Sequence, residues 1–125
     1  SIYLTENEWV KFGKYRILVG DLQSHQPALK KSKAVDYFNS ENINKTLLVR
    51  TFKQGDRIHL PGMEQAKRIS RIFIDEKVPV EERHRLPVIT NEDEIVVVGS
   101  LRHSKKVSKS KRPFDNCVIL IRDNS

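Results

Sequence analysis

The feature that most constrains the fold is a succession of short β-type segments, each broken after a few residues by glycine, proline or asparagine. Residues 2–22 predict strands, with Asn7 turning the first pair and Gly13-Lys14 and Gly20-Asp21 as turn material. Further strands are predicted at residues 46–52, 86–89, 95–98 and 117–122, with a short one at 57–60. The chain is therefore expected to be rich in β-structure.

Only one segment predicts a substantial helix. Over residues 65–77 the apolar positions Ala66, Ile69, Ile72 and Phe73 recur at helical spacing, which predicts a core-facing stripe. Lys67, Arg68 and Arg71 are expected together on the opposite side of that helix. Pro79 limits the helix, and residues 81–84 favour one further turn. Residues 23–33 are polar and predict a loop, while the pattern at 34–38 leaves the element type open.

These elements indicate an α+β fold, a β-rich sandwich-like domain with one main amphipathic helix as a side layer. A length of 125 residues suits a single domain spanning 1–125, and neither an internal repeat nor a domain boundary is visible.

Charge and cysteine usage narrow the class of partner and the compartment. Lys and Arg number 23 against 16 for Asp and Glu, so the net charge of +7 favours nucleic acid first and an acidic membrane surface second. The single cysteine, Cys117, lies in an apolar run and is expected to be a buried hydrophobic residue, which fits a reducing cytoplasm. No apolar stretch approaches the roughly 18 residues of a membrane span, and no signal peptide is predicted. The start at Ser1 suggests a fragment of a longer parent protein.

No pattern in the chain predicts catalysis. The histidines His25, His59, His84 and His103 lie in no zinc-protease pattern, and neither glycine-rich nucleotide loop occurs. Glu81, Glu82 and His84 are an acid/base group in principle, but a solvated helical turn is the better interpretation. The sequence therefore predicts no catalytic residue, metal site or cofactor in this chain.

Basic residues give the strongest functional signal. Candidate phosphate contacts are Lys67, Arg68 and Arg71 on the predicted helix, with Arg57 before it and Arg83 and Arg85 after it. Residues 101–112 contain no acidic residue and predict a solvated, mobile loop, an accessory arm whose contacts would include Arg102, Lys105 and Lys106. An ordinary solvated basic face remains the alternative for each of these residues.

An ordered set of sequence blocks carries a family resemblance. The blocks are residues 48–57, Pro61-Gly62-Met63, Lys67-Arg68-Ile69-Ser70, residues 73–79, Glu82-Arg83, Leu86-Pro87-Val88 and residues 94–99. Together they resemble the C-terminal domain of bacterial tRNA(Ile)-lysidine synthetases (tRNA(Ile)-lysidine synthases), with the best-matching core at about 33–103. Leu60-Pro61 stands where the family usually has Pro-Leu before Gly-Met.

The resemblance implies a function for the parent protein and a role for this part of it. The parent enzyme would use ATP, with Mg²⁺, to attach lysine to the wobble cytidine of a CAU-anticodon tRNA(Ile). That tRNA then reads AUA and is charged with isoleucine instead of methionine. The family's catalytic N-terminal domain, with its Ser-Gly-Gly-x-Asp-Ser loop, is absent from these residues. The C-terminal domain would contact the acceptor stem, and it is similar to a domain of the phenylalanyl-tRNA synthetase β chain.

Two hypotheses follow from the sequence. The first is a tRNA acceptor-stem-binding module that works with the catalytic domain of the same chain. The second is a structural or dimerisation module without direct RNA contact, in which a possible homodimer would bury an apolar face around Trp9 and Phe12. A free-standing enzyme is a third option, for which the sequence supplies no acid/base pair.

Overall fold

The computed structural model describes residues 1–44 and 46–124 and confirms the sandwich predicted from the sequence. The strands are β1 (Ile2–Tyr3), β2 (Trp9–Phe12), β3 (Tyr15–Asp21), β4 (Ala34–Phe38), β5 (Leu47–Arg50), β6 (Arg57–Ile58), β7 (Lys67–Arg68), β8 (Val88–Asn91), β9 (Glu94–Val98), β10 (Arg102–His103) and β11 (Cys117–Asp123). The helices are α1 (Gln26–Lys31), α2 (Ile69–Asp75) and α3 (Val80–Arg83), and a 3₁₀ turn covers Gln23–His25.

Two antiparallel sheets form the centre of the molecule. Sheet A has the strand order β1-β5-β8-β9-β10, and sheet B has the order β2-β3-β11-β4. Their facing sides bury one hydrophobic cluster, which includes Ile17, Phe38, Val49, Ile119 and Cys117. Cys117 is fully buried, as expected for a small apolar residue in a strand.

Both sheets are also covered on their outer sides. The outer side of sheet A packs against α2 and the two-stranded ribbon β6-β7, where Ile58, Ile72 and Phe73 are buried. The outer side of sheet B buries Leu18 and Leu120 beneath α1 residues Ala28 and Leu29. The domain is thus a stack of four layers, with α1 at one end and α2 with the ribbon at the other.

A β-bulge in sheet A determines which valines face which layer. Ile89 pairs with Val97, whereas Thr90 pairs with Ile95, so Val96 is an extra residue between them. Val96 and Val97 therefore both reach the cluster between the sheets, while Val98 packs towards α2.

The helix predicted at 65–77 is shorter than expected, and its basic residues are not together on one helical side. Lys67 and Arg68 lie in strand β7, and α2 begins only at Ile69, whose N–H donates to the Asp56 carbonyl at 2.9 Å. The predicted stripe is confirmed for Ile69, Ile72 and Phe73, which are buried. The helical spacing predicted the wrong element at residues 65–68. Strand β7 runs directly into α2 there, and the apolar pattern continues across the boundary by chance.

Two loop and turn predictions were also wrong, and a third was right about the turn but not about the strands it joins. Residues 23–33 contain a 3₁₀ turn and α1, with Pro27 at the helix start, because Ala28 and Leu29 cover sheet B. Gly20 lies within β3, where a side chain would meet the Asn7 amide oxygen at 2.2 Å. Asn7 does lie in the turn between β1 and β2, with φ 64°, but the two strands do not pair, because β1 pairs with β5 in sheet A and β2 lies in sheet B.

The predicted mobile loop at 101–112 is packed instead. It contributes strand β10, a backbone bridge between Tyr37 and Ser108, and the buried residues Ser104 and Val107. Composition suggested a solvated arm because the acidic partners of Arg102, Lys106 and Lys109 lie far away in the sequence. Residues 34–38, left open by their pattern, form β4, and the further helical turn is confirmed as α3.

Candidate nucleic-acid interface

The ribbon β6-β7 places two arginines directly opposite each other. Arg57 pairs with Arg68 across the ribbon, and Ile58 pairs with Lys67. Because Ile58 is buried against α2, the arginines, one position away, project from the other side of the ribbon, and both are exposed. Residues directly opposite in an antiparallel pair have Cβ atoms about 5 Å apart, so the two guanidinium groups share one small surface.

Neither arginine of this pair has an ion-pair partner in the described part of the chain, and Arg57 borders a cavity that Glu92, Asp93 and Glu94 also line. Every other predicted contact residue except Lys105 donates to an acidic side chain or a carbonyl, whereas Arg57 and Arg68 make no ion pair among residues 1–44 and 46–124. Like charges directly opposite each other destabilise a β-pair. An anion bound between them would remove that repulsion, and the planar guanidinium group suits phosphate oxygens.

An ion pair at the base of the ribbon holds it in place. Arg50 donates two parallel hydrogen bonds to Asp56, at 2.8 and 3.0 Å, and the Lys53 N–H donates a third at 2.8 Å. Burial acts to raise the pKa of the Asp56 carboxyl, but these hydrogen bonds outweigh it and hold the pKa below its usual range. The Asp56 backbone carbonyl also anchors the start of α2. One residue thus connects sheet A, the ribbon and the helix.

Lys67 and Arg71 meet at Asp75 on α2. The Lys67 ammonium lies 2.8 Å from one Asp75 oxygen and the Arg71 Nε lies 3.3 Å from the other. The hydrogen bond from Lys67 lowers the pKa of the Asp75 carboxyl. The Arg71 side chain is still 67% exposed, and it follows Arg68 by three residues. Arg71 therefore keeps an exposed positive charge on α2, three residues beyond Arg68, while Lys67 connects the ribbon to the helix.

Three of the predicted contacts are engaged elsewhere. The Arg83 Nε donates to the Val78 carbonyl at 3.0 Å, which closes the turn before α3. Arg85 contacts Glu82 at 3.4 Å, and Arg102 binds Glu76 and donates to the Leu101 carbonyl. The structure does not bring these three residues to the arginine pair through any contact. They remain predicted RNA contacts that no observation supports.

Within the described part of the chain, the basic residues of the segment 101–112 also include both paired and unpaired side chains. Lys106 pairs with Glu94 at 2.8 Å, and Lys109 lies 3.2 Å from the buried Asp36, whose pKa burial raises against the attraction of that lysine. Lys105 is exposed, and its N–H donates to the carbonyl of His59, two residues beyond Arg57. We call Arg57, Arg68, Arg71 and Lys105 the ribbon surface.

A cavity of about 550 Å³ adjoins this surface. It is lined by Arg57, His59 and Ala66 on one side and by the turn at 91–94 and Lys106 on the other. Because Glu92, Asp93 and Glu94 would repel phosphate, the cavity itself does not favour an anion.

Sequence reasoning missed a second set of basic residues, on the outer side of sheet B. Lys11, Arg16 and Arg122 are far apart in the sequence, but the register of β2, β3 and β11 aligns them. No local pattern reveals such an alignment, because it depends on which strands pair.

The described residues were also searched for a metal site and for an acid/base group. Within 1–44 and 46–124 no three His, Cys, Asp or Glu side chains form a group that could hold a metal ion. Glu82, one of the weak acid/base candidates, is paired with Lys14 at 3.0 Å. In the same part of the chain no helix is long and apolar enough to cross a membrane.

Comparisons with known proteins identify relatives. The family described as TilS substrate C-terminal domain matches residues 47–114. The tRNA(Ile)-lysidine synthase of Caldanaerobacter subterraneus subsp. tengcongensis is 33% identical over 107 residues, covering 86% of this chain and 23% of that protein. The synthase of Bacillus subtilis is 39% identical over 72 residues, covering 57% of this chain and 15% of that protein. The chain thus spans less than a quarter of the length of these curated relatives.

A solved structure shares the fold. The crystal structure of a TilS C-terminal domain superposes with a TM-score of 0.80, covering 99% of this chain and 98% of that one at 23% identity. At that identity the match supports the four-layer architecture alone.

Proposed function

The chain belongs to the family of TilS substrate C-terminal domains, and on that premise we propose that it binds the acceptor stem of tRNA(Ile) within a tRNA(Ile)-lysidine synthase. The longer protein would ligate lysine to the wobble cytidine of a CAU-anticodon tRNA in the cytoplasm. ATP, with Mg²⁺, would be bound by a catalytic domain of the same protein, and this chain would contribute no catalytic residue.

The observation that carries the proposal is the unneutralised Arg57–Arg68 pair. These arginines stand on a rigid ribbon, braced by Asp56 below and by Lys67 with Asp75 at the side. A double-stranded RNA stem presents phosphates and 2′-hydroxyl groups over a wide, shallow minor groove. A small exposed ribbon with cations at fixed separation suits such a surface, whereas a small-molecule substrate would need an enclosed pocket.

The test is binding of an acceptor-stem minihelix by the Arg57→Gln/Arg68→Gln variant. Four phosphate contacts predict a slope of log affinity against log salt of about −3.6 for the unaltered chain, with the coefficient of duplex DNA. Removing two contacts should make the slope shallower by about 1.8 and weaken binding roughly tenfold at 0.1 M salt. Fluorescence anisotropy across a salt titration measures both quantities.

The matched control is Lys77→Gln/Lys111→Gln, which removes the same net charge. Lys77 follows the far end of α2, Lys111 lies in the loop before β11, and both are exposed. The control should bind like the unaltered chain. Equal weakening in both variants would mean that net charge, and not the ribbon surface, accounts for binding.

The alternative, a structural or dimerisation module, has limited support. Trp9 and Phe12 are only half exposed: the Arg122 guanidinium lies over the Trp9 ring, and Phe12 packs against the core. Exposed apolar side chains do occur at Ile74 and Val80. A sizing column run with and without tRNA separates the tRNA-binding hypothesis from the dimerisation hypothesis. A concentration-dependent dimer that does not bind RNA would favour the dimerisation module.

A further inference from the structure

Three basic side chains form a straight row across sheet B. Lys11 of β2 pairs with Arg16 of β3, and Arg16 pairs with Arg122 of β11. Neighbouring strands are about 4.8 Å apart, so the three Cα atoms span roughly 10 Å. We call Lys11, Arg16 and Arg122 the outer row.

The row faces away from the centre of the molecule. Leu18 and Leu120, each two residues from a member of the row, belong to the cluster outside sheet B, while Ile17 and Ile121 belong to the cluster between the sheets. Because side chains alternate along a strand, Arg16 and Arg122 project outwards. Trp9, two residues before Lys11, packs against the same outer cluster.

The outer row is not neutralised by its surroundings. Lys11 and Arg16 are exposed and form no ion pair with any residue in 1–44 or 46–124. The Arg122 guanidinium lies 4.5 Å from the centroid of the Trp9 ring, which orients the charge without cancelling it. Aligned like charges cost stability in a sheet, so an anion bound along the row would relieve a repulsion already present.

A cavity borders Arg122 at the β11 end of the row. Its volume is about 510 Å³, and Lys31, Lys33 and Arg122 lie in its lining. Tyr15, Leu86 and Ile121 contribute apolar parts of the same lining. The acidic residue present is Asp123, which lies 3.7 Å from the Lys14 ammonium. Lys31 and Lys33 thus add two cations near Arg122, beyond the β11 end of the outer row.

We propose that the outer row binds the phosphate backbone of an RNA segment other than the one that contacts the ribbon surface. The two surfaces lie on opposite ends of the four-layer stack, and packed layers are about 10 Å apart, so roughly 20–30 Å separates them. One duplex lying against one face does not reach the other. The inference rests on the proposed function only in taking the polyanion to be RNA.

The stoichiometry of RNA binding tests the inference. With excess of a 12-base-pair RNA duplex at low salt, the unaltered chain should bind two duplexes, as measured by analytical ultracentrifugation. Lys11→Gln/Arg16→Gln should bind one, at the ribbon surface. Arg57→Gln/Arg68→Gln should also bind one, at the outer row. The control Lys77→Gln/Lys111→Gln should still bind two.

The outcomes separate this inference from the proposed function. If the unaltered chain binds one duplex and Lys11→Gln/Arg16→Gln changes nothing, the outer row is not an RNA site. Suppose instead that Arg57→Gln/Arg68→Gln changes nothing while Lys11→Gln/Arg16→Gln removes all binding. The outer row is then the RNA-binding surface, and the proposed function of the ribbon surface is contradicted. A thermal melt guards against misfolding: relief of repulsion should leave the melting temperature of Lys11→Gln/Arg16→Gln equal to or above that of the unaltered chain.

Discussion

At the scale of single residues, the sequence offered candidate phosphate contacts but did not indicate their neighbours. Arg57, Arg68 and Arg71 were candidates from charge and spacing, and the structure places Arg57 directly opposite Arg68 and leaves Arg71 exposed on α2. Lys67 was grouped with them on a helix, but it lies on the other side of a strand and binds Asp75. Spacing along the chain predicts neighbours only when the element type is right, and the boundary between β7 and α2 has no capping side chain to mark it.

Asp56 connects the ribbon to sheet A and to α2, and its contribution to stability should vary with pH. Its folded-state pKa is lowered, so the stability it adds is present above the ordinary carboxyl pKa of roughly 4 and is lost as pH falls through the folded-state value. We expect Asp56→Asn to lower the free energy of unfolding by about 2 kcal/mol at pH 7. Urea denaturation at a series of pH values measures the difference, which should narrow below about pH 4.

Asp93→Asn is the matched control for Asp56→Asn, because Asp93 is exposed in the turn between β8 and β9. It should leave stability unchanged at every pH. A destabilisation by Asp56→Asn that is constant from pH 7 to pH 3 would contradict the role given to its charge.

At the scale of elements, the strands were largely predictable and the segment 101–112 was not. Alternating or continuous apolar runs mark β3, β5, β9 and β11 in the sequence because each buries at least one side. The basic segment carries no such pattern. Its order comes from long-range contacts such as Lys106 with Glu94 and Lys109 with Asp36, which sequence proximity does not indicate.

Limited trypsin digestion tests whether that segment is packed. We expect the unaltered chain to resist cleavage within 101–112 despite its six basic residues, because cleavage requires local unfolding. The Arg112 side chain donates to the Lys106 carbonyl and to the buried Asp115. Arg112→Ala should therefore expose the segment and accelerate cleavage at least tenfold, as followed by mass spectrometry of the fragments.

The neighbouring substitution Lys111→Ala, at an exposed position, should leave the digestion rate within 101–112 unchanged at the remaining sites. Rapid cleavage of the unaltered chain throughout 101–112 would contradict the packed segment and support the mobile arm predicted from composition.

At the scale of the whole molecule, a β-rich sandwich with a helical layer was predictable, whereas the four-layer stack was not. The register shift at Val96 and the cover that α1 provides depend on packing between distant segments. The same packing places the ribbon surface and the outer row at opposite ends. The similarity to a phenylalanyl-tRNA synthetase β-chain domain stays a prediction.

Hydrogen exchange in the presence of RNA tests the central claim most directly. We expect an acceptor-stem minihelix of tRNA(Ile) to slow amide exchange at 57–59 and 66–71, which cover β6, β7 and the start of α2. An anticodon-stem hairpin of equal length, at matched concentration and salt, should protect these residues less. Unchanged exchange at the ribbon surface with a bound minihelix, or equal protection by both RNAs, would contradict acceptor-stem recognition by this domain.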